Sequence, residues 1–168
     1  EELINISSKF VMKNKSQIKK ELISNKHIDK PVEFIYYINP KKSFNKIYKS
    51  LLNKGSLLVL GRNNFDINKF SDGNIPEFMS VHASKGLESD NVILINMTDD
   101  MYGFPNKIVN SKLIEELHPS DKTYIYAEER RLFYVALTRT KNKVYILVPL
   151  FKRSIFIKEI KNLTKAIL

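Results

Sequence analysis

Two stretches of this chain, Ser56 to Leu60 and Asn91 to Met97, are apolar at nearly every position, and they limit its fold more than any other feature. A strand with one wet face alternates apolar and polar residues, so short unbroken apolar runs belong to strands covered on both faces. The segments around them follow helical spacing. Asn39 reads as an N-cap, Pro40 as the first helical residue, and Phe44, Ile47, Tyr48, Leu51 and Leu52 share one face before Gly55 stops the helix. Further strands are expected at Val32 to Tyr37, Glu77 to Val81 and Lys143 to Val148. Further helices are expected from Glu1 to Ile23 with a break near Asn14-Lys15, around Lys112 to Leu117, from about Tyr124 to Leu137, and from Ser154 to Leu163. Buried strands alternating with amphipathic helices predict an α/β fold, a parallel sheet flanked by helices, in a single domain. Ligands in such folds gather at the carboxyl ends of strands.

Composition removes several classes of chemistry. A chain of 168 residues that is 43% apolar can fill one core. It has no Cys, which excludes disulfides, thiolate zinc sites and cysteine nucleophiles. His27, His82 and His118 lack metal-binding helical spacing, and neither a GxxxxGK[ST] phosphate loop nor a GxSxG elbow is present. No apolar run approaches membrane-spanning length, so no membrane partner is expected. Glu1-Glu2-Leu3 has neither a basic signal flank nor an initiator Met, as expected of a piece of a longer chain.

The net charge of +10 is unevenly spread. Residues 1–60 hold 12 basic and 5 acidic residues, residues 61–129 hold 6 and 12, and residues 130–168 hold 10 and 1. Basic ends suit a polyanion, because Lys and Arg near phosphates release counterions. A Lys-, Asn- and Ile-rich coding bias would produce the same lysines as solvated surface.

Two segments carry more chemistry than a scaffold needs. Met79-Ser80-Val81-His82-Ala83-Ser84-Lys85-Gly86-Leu87-Glu88 leaves an expected strand, with small residues that let backbone approach a ligand and charged ones to address it; taken alone, the same residues also suit a turn with surface charges. Ala127 to Thr140 reads as a helix whose apolar residues cover most of its circumference from Leu132 to Leu137, yet it ends in Arg139, which must meet an anion, a carboxylate or solvent. Arg130 and Arg131, one turn after Glu128 and Glu129, suit intrahelical ion pairs. Asp99-Asp100, after an apolar strand, superficially resembles a magnesium-holding strand end.

Together, VHASKGLE (Val81 to Glu88) and EERRLFYVALTRTK (Glu128 to Lys141) closely resemble the fifth and sixth motifs of the UvrD/Rep-like superfamily 1 DNA helicases. ELINISSKFVMKN (Glu1 to Asn14) is similar to the helix after that family's Asn-Tyr-Arg-Ser motif, and VLGRNN (Val59 to Asn64) to its strand ending in an Arg-x-Asn DNA contact. The resemblance implies the second RecA-like domain, 2A, of an ATP-driven DNA translocase in the cytoplasm. It implies that Arg139 is the arginine finger on the γ-phosphate, that Glu88 binds the nucleotide ribose, and that Lys85 and Gly86 line the same loop. It further implies that His82 lies between the nucleotide and DNA sites and that Arg62 and Asn64 contact single-stranded DNA. The implied cofactor is ATP with Mg2+, the ion's ligands lying in the N-terminal 1A domain, which is the implied partner.

This chain departs from the pattern at Ser80, where Thr is usual, and at Thr140, where Ala is usual. Only 14 residues separate Asn64 from Met79, where Rep- and UvrD-like members insert a 2B domain. That spacing, with Tyr102-Gly103-Phe104-Pro105, most resembles DNA helicase IV-type members. Two rivals stand beside this reading: one component of a helicase-nuclease of the AddA or RecB kind, and a non-catalytic nucleic-acid-binding or RNA-polymerase-associated module.

Overall fold

The computed structural model describes residues 2–13, 28–108 and 126–167. Five strands, β1 (Val32–Tyr37), β2 (Leu57–Gly61), β3 (Phe78–Ser80), β4 (Ser89–Leu94) and β5 (Thr140–Pro149), form one sheet. All pair in parallel, in the order β1-β5-β4-β2-β3. The helices are α1 (Glu2–Val11), α2 (Pro40–Leu51), α3 (Ala127–Leu137) and α4 (Ile155–Ile167), with a 3-10 turn at Asp66–Lys69. The expected α/β class and all five expected strands are present. The helix expected around Lys112 to Leu117, and the segment following the expected break at Asn14, lie outside the described residues.

The apolar runs are strands whose successive side chains enter two different cores. Leu58, Leu60, Val92, Leu94, Val144, Ile146 and Val148 face a layer made by α1, α3 and α4. Val59, Ile93, Ile95 and Leu147 face the opposite side, where α2 contributes Phe44 and Leu51 and the 3-10 turn is followed by Phe70. Helix α2 begins as its sequence dictates: the Asn39 side chain accepts a hydrogen bond from Lys42 N at 3.0 Å, and Pro40 opens the helix. It ends at Leu51, with Gly55 in the connection beyond.

Four phenylalanines, Phe10, Phe104, Phe133 and Phe156, knit the three-helix layer through mostly edge-on contacts with centroids 5.1 to 6.3 Å apart. Arg130 seals that cluster. Its guanidinium lies 4.3 Å above the Phe10 ring and 5.0 Å from Phe156, and donates to both oxygens of Glu159, at 2.7 and 3.0 Å. Of the two intrahelical pairs expected at the start of α3, Arg131 with Glu128 forms. Arg130 instead turns inward, because it shares a helix face with buried Phe133 and Leu137.

Burial raises the Glu159 pKa, but the hydrogen bonds from Arg130 and from Lys13 outweigh it and hold the carboxyl below its ordinary range. A carboxylate depressed in the folded state stabilises the fold above its unfolded pKa and loses that contribution as pH falls through the folded value. Arg130→Ala should therefore lower unfolding free energy by about 3 kcal/mol at neutral pH, measured by urea denaturation. The gap between variant and parent should narrow in acid, below the usual carboxylate range.

Candidate functional site

In a parallel sheet every strand points the same way, so the ends of the connections fall at two opposite edges. Arg62, Asn64 and His82 follow the carboxyl ends of β2 and β3. Arg139 precedes β5 and Glu88 precedes β4, whose first residue Ser89 pairs with Thr140, so both lie at the amino edge. Lys85 and Gly86 lie on the connection that carries the chain from one edge to the other. The residues expected to meet ligands are thus divided between the two edges instead of gathering at the carboxyl ends. The reason is geometric: α3 returns the chain to the start of β5, and the Val81 to Glu88 connection returns it to the start of β4.

At the amino edge the two motifs meet. Arg139 Nη1 donates to the Leu87 carbonyl at 3.0 Å, and the Arg139 carbonyl accepts from Ser89 N at 2.9 Å. The guanidinium is therefore held beside the residue preceding Glu88. Glu88, Lys85 and Gly86 are exposed, while Ser84 is buried and donates from its hydroxyl to Val81 O at 2.7 Å, closing the turn. Gly86 has φ +84°, a left-handed conformation that side chains disfavour. Thr140 is accommodated: its hydroxyl lies 2.9 Å from the carbonyls of Asp90 and Lys143. The Asp90 carboxylate in turn accepts from Ser56 N and Oγ at 2.8 and 2.9 Å, tying the starts of β2 and β4 together.

At the carboxyl edge a buried polar network sets the geometry. Glu129, 3% exposed, accepts from Arg62 Nε at 3.0 and 2.9 Å and from Arg62 Nη2 at 2.7 Å. Its second oxygen also accepts from Asn106 N at 2.9 Å. Arg62, 12% exposed, thus has its guanidinium committed to a carboxylate, while Asn64 and His82 are exposed.

Below that loop, Asp66 accepts from Asn63 N at 2.9 Å, Asn63 Nδ2 at 3.1 Å and Asn96 Nδ2 at 3.0 Å. Burial raises the Asp66 pKa, and these hydrogen bonds offset the rise only in part. Asn63 and Asn96 also donate to the Tyr102 carbonyl, at 2.9 and 3.2 Å. Gly103 is required there, since a Cβ would lie 2.0 Å from Thr98 O. Asp99, part of the pair that superficially resembles a metal-holding strand end, makes an ion pair with Lys107 at 2.8 Å. Among the described residues, no group of three or more His, Asp or Glu could hold a metal ion.

Glu129 and Asp66 escaped the motif reading. The signal for Glu129 was its place on the face of Phe133, Ala136 and Leu137, an acid on an apolar stripe that must have a partner. For Asp66, an acid within a turn, no comparable signal exists.

Residues 36–149 match the UvrD-like helicase C-terminal domain family, and the chain belongs to that family. The chain is 41% identical over 87 residues to DNA helicase IV of Escherichia coli (strain K12), covering 52% of this chain and 13% of that protein. It is 30% identical over 82 residues to the ATP-dependent DNA helicase PcrA of Leuconostoc citreum, covering 48% of this chain and 9% of that protein. The chain thus spans a small part of the length of these relatives. The C-terminal domain of a possible DNA helicase from Lactobacillus plantarum WCFS1 superposes with a TM-score of 0.57 at 13% identity, over 95% of this chain and 91% of that one. That likeness concerns the fold. Among the described residues, no helix is long and apolar enough to cross a membrane.

The Glu129 carboxylate has four short contacts from donors and little water. Glu129→Gln places an amide against the Arg62 guanidinium or Asn106 N–H, and should lower stability by about 3 to 5 kcal/mol in chemical denaturation. Asp66→Asn creates the same donor-against-donor conflict with Asn63 and Asn96, with an expected loss of about 1 to 3 kcal/mol.

Proposed function

We propose that this chain is the C-terminal motor domain, 2A, of an ATP-dependent DNA helicase of the DNA helicase IV type. The observation that carries the reading is the tether between Arg139 and the Leu87 carbonyl, which puts a guanidinium next to Glu88 at one edge of the sheet. A ribose needs a hydrogen-bond acceptor and a γ-phosphate needs a cation, and this edge offers both in exposed or half-buried positions. In this reading Glu88 accepts from the ribose hydroxyls, Lys85 and Gly86 shape the loop beside it, and Arg139 faces the γ-phosphate, where charge develops during hydrolysis.

ATP would bind between this edge and an N-terminal 1A domain, which supplies the phosphate loop and the Mg2+ ligands. At the other edge, Asn64 and His82 offer exposed groups to the backbone of single-stranded DNA. Arg62, with Nε and Nη2 engaged by Glu129, would meet a phosphate through Nη1. Opening and closing of the cleft between the two domains would then move DNA along the carboxyl edge.

In the full-length enzyme, Arg139→Ala should lower DNA-stimulated ATP turnover by about a thousandfold while DNA affinity is retained; near-normal turnover removes Arg139 from this role. The 168-residue chain alone should hydrolyse no ATP, and robust DNA-stimulated turnover by it would overturn the division of labour.

A further inference from the structure

Between the Arg62 to Phe70 segment and the loop at Asp100 to Tyr102 lies an open cleft of about 280 Å³. Phe65 and Tyr102 are each 53% exposed, and Met101 is 58% exposed. Single exposed apolar residues are ordinary, but here three adjoin one concavity. The two rings meet with centroids 5.7 Å apart at 81°, forming a corner in which a flat ring can stack on one and present its edge to the other.

The corner is held in place before anything binds. The Tyr102 carbonyl is fixed by Asn63 and Asn96, and Phe65 immediately precedes the Asp66 turn anchored by the same two amides. Prior ordering lowers the entropic cost of binding. Charge selects the ligand. The Asp66 carboxylate is buried and taken up by Asn63 and Asn96, which leaves Asp100 and Lys69 as one charge of each sign along the lining, a balance that suits an uncharged aromatic ring better than a phosphate. Asn64, exposed beside Phe65, adjoins this corner on the same loop.

We propose that this cleft is a stacking subsite for one base of single-stranded DNA, with Phe65 and Tyr102 as its aromatic walls. The proposal rests on the reading that the carboxyl edge faces DNA, and adds to it a contact made through a base rather than the backbone. It confers no sequence preference, because every base has a π-face.

The test compares fluorescence anisotropy of labelled oligo(dT) with that of an abasic oligonucleotide of equal length, on the 168-residue chain and its variants. Phe65→Ala and Tyr102→Ala should each weaken oligo(dT) binding by roughly 5- to 100-fold and leave abasic binding unchanged. Tyr102→Phe, which keeps the ring, should restore the affinity lost in Tyr102→Ala. Circular dichroism checks that each variant is folded. If the parent binds both oligonucleotides and the alanine variants bind them as the parent does, or lose both equally, the stacking subsite is refuted while DNA binding stands. If the parent binds neither, the DNA-facing reading falls and the subsite with it.

Discussion

The carboxyl edge of this domain depends on one buried acid. Glu129 receives the Arg62 guanidinium and the Asn106 amide, and so joins the end of β2, the loop after β4 and the first turn of α3. A carboxylate in that position is costly to bury unless its oxygens are satisfied, and four short contacts satisfy them. Its chain neighbour works in a different direction. About 100° round the helix, Arg130 enters the phenylalanine cluster and clasps Glu159 of α4. Two consecutive residues thus anchor α3 to both the sheet edge and the helical layer. A motif usually read for chemistry also carries much of the packing.

That double use explains what was legible in the sequence. The strands were clear because Leu57 to Leu60 and Val92 to Ile95 must be buried on both faces, and alternation assigns each residue to a core. The cap of α2 was clear because Asn39 and Pro40 act locally. The partners of Arg62 and Arg130 were not, because Glu129 and Glu159 are 67 and 29 residues away, and local spacing favoured intrahelical pairs. Helical proximity predicted the Arg131 pair, which is exposed, and failed for Arg130, where burial decides.

The candidate site divides in the same manner. Loop and helix end were recognisable as chemical segments one by one, and the Arg139 to Leu87 contact that unites them spans 52 residues. The aromatic corner at Phe65 and Tyr102 had no signature, since each residue is an ordinary loop aromatic until the Asn63 and Asn96 amides place the two loops side by side.

Strand β4 runs from Ser89, hydrogen-bonded to the Arg139 carbonyl, to Leu94, two residues before Asn96 beneath the aromatic corner. Six residues of extended chain span about 20 Å. Flanked by β2 and β5 and packed on both faces, β4 is a strut with little compliance. Its two ends, one beside Arg139 and the other beneath the aromatic corner, are therefore held at a set separation in the folded domain. The distance between the two edges is thus set by the length of one buried strand rather than by any side-chain contact between them.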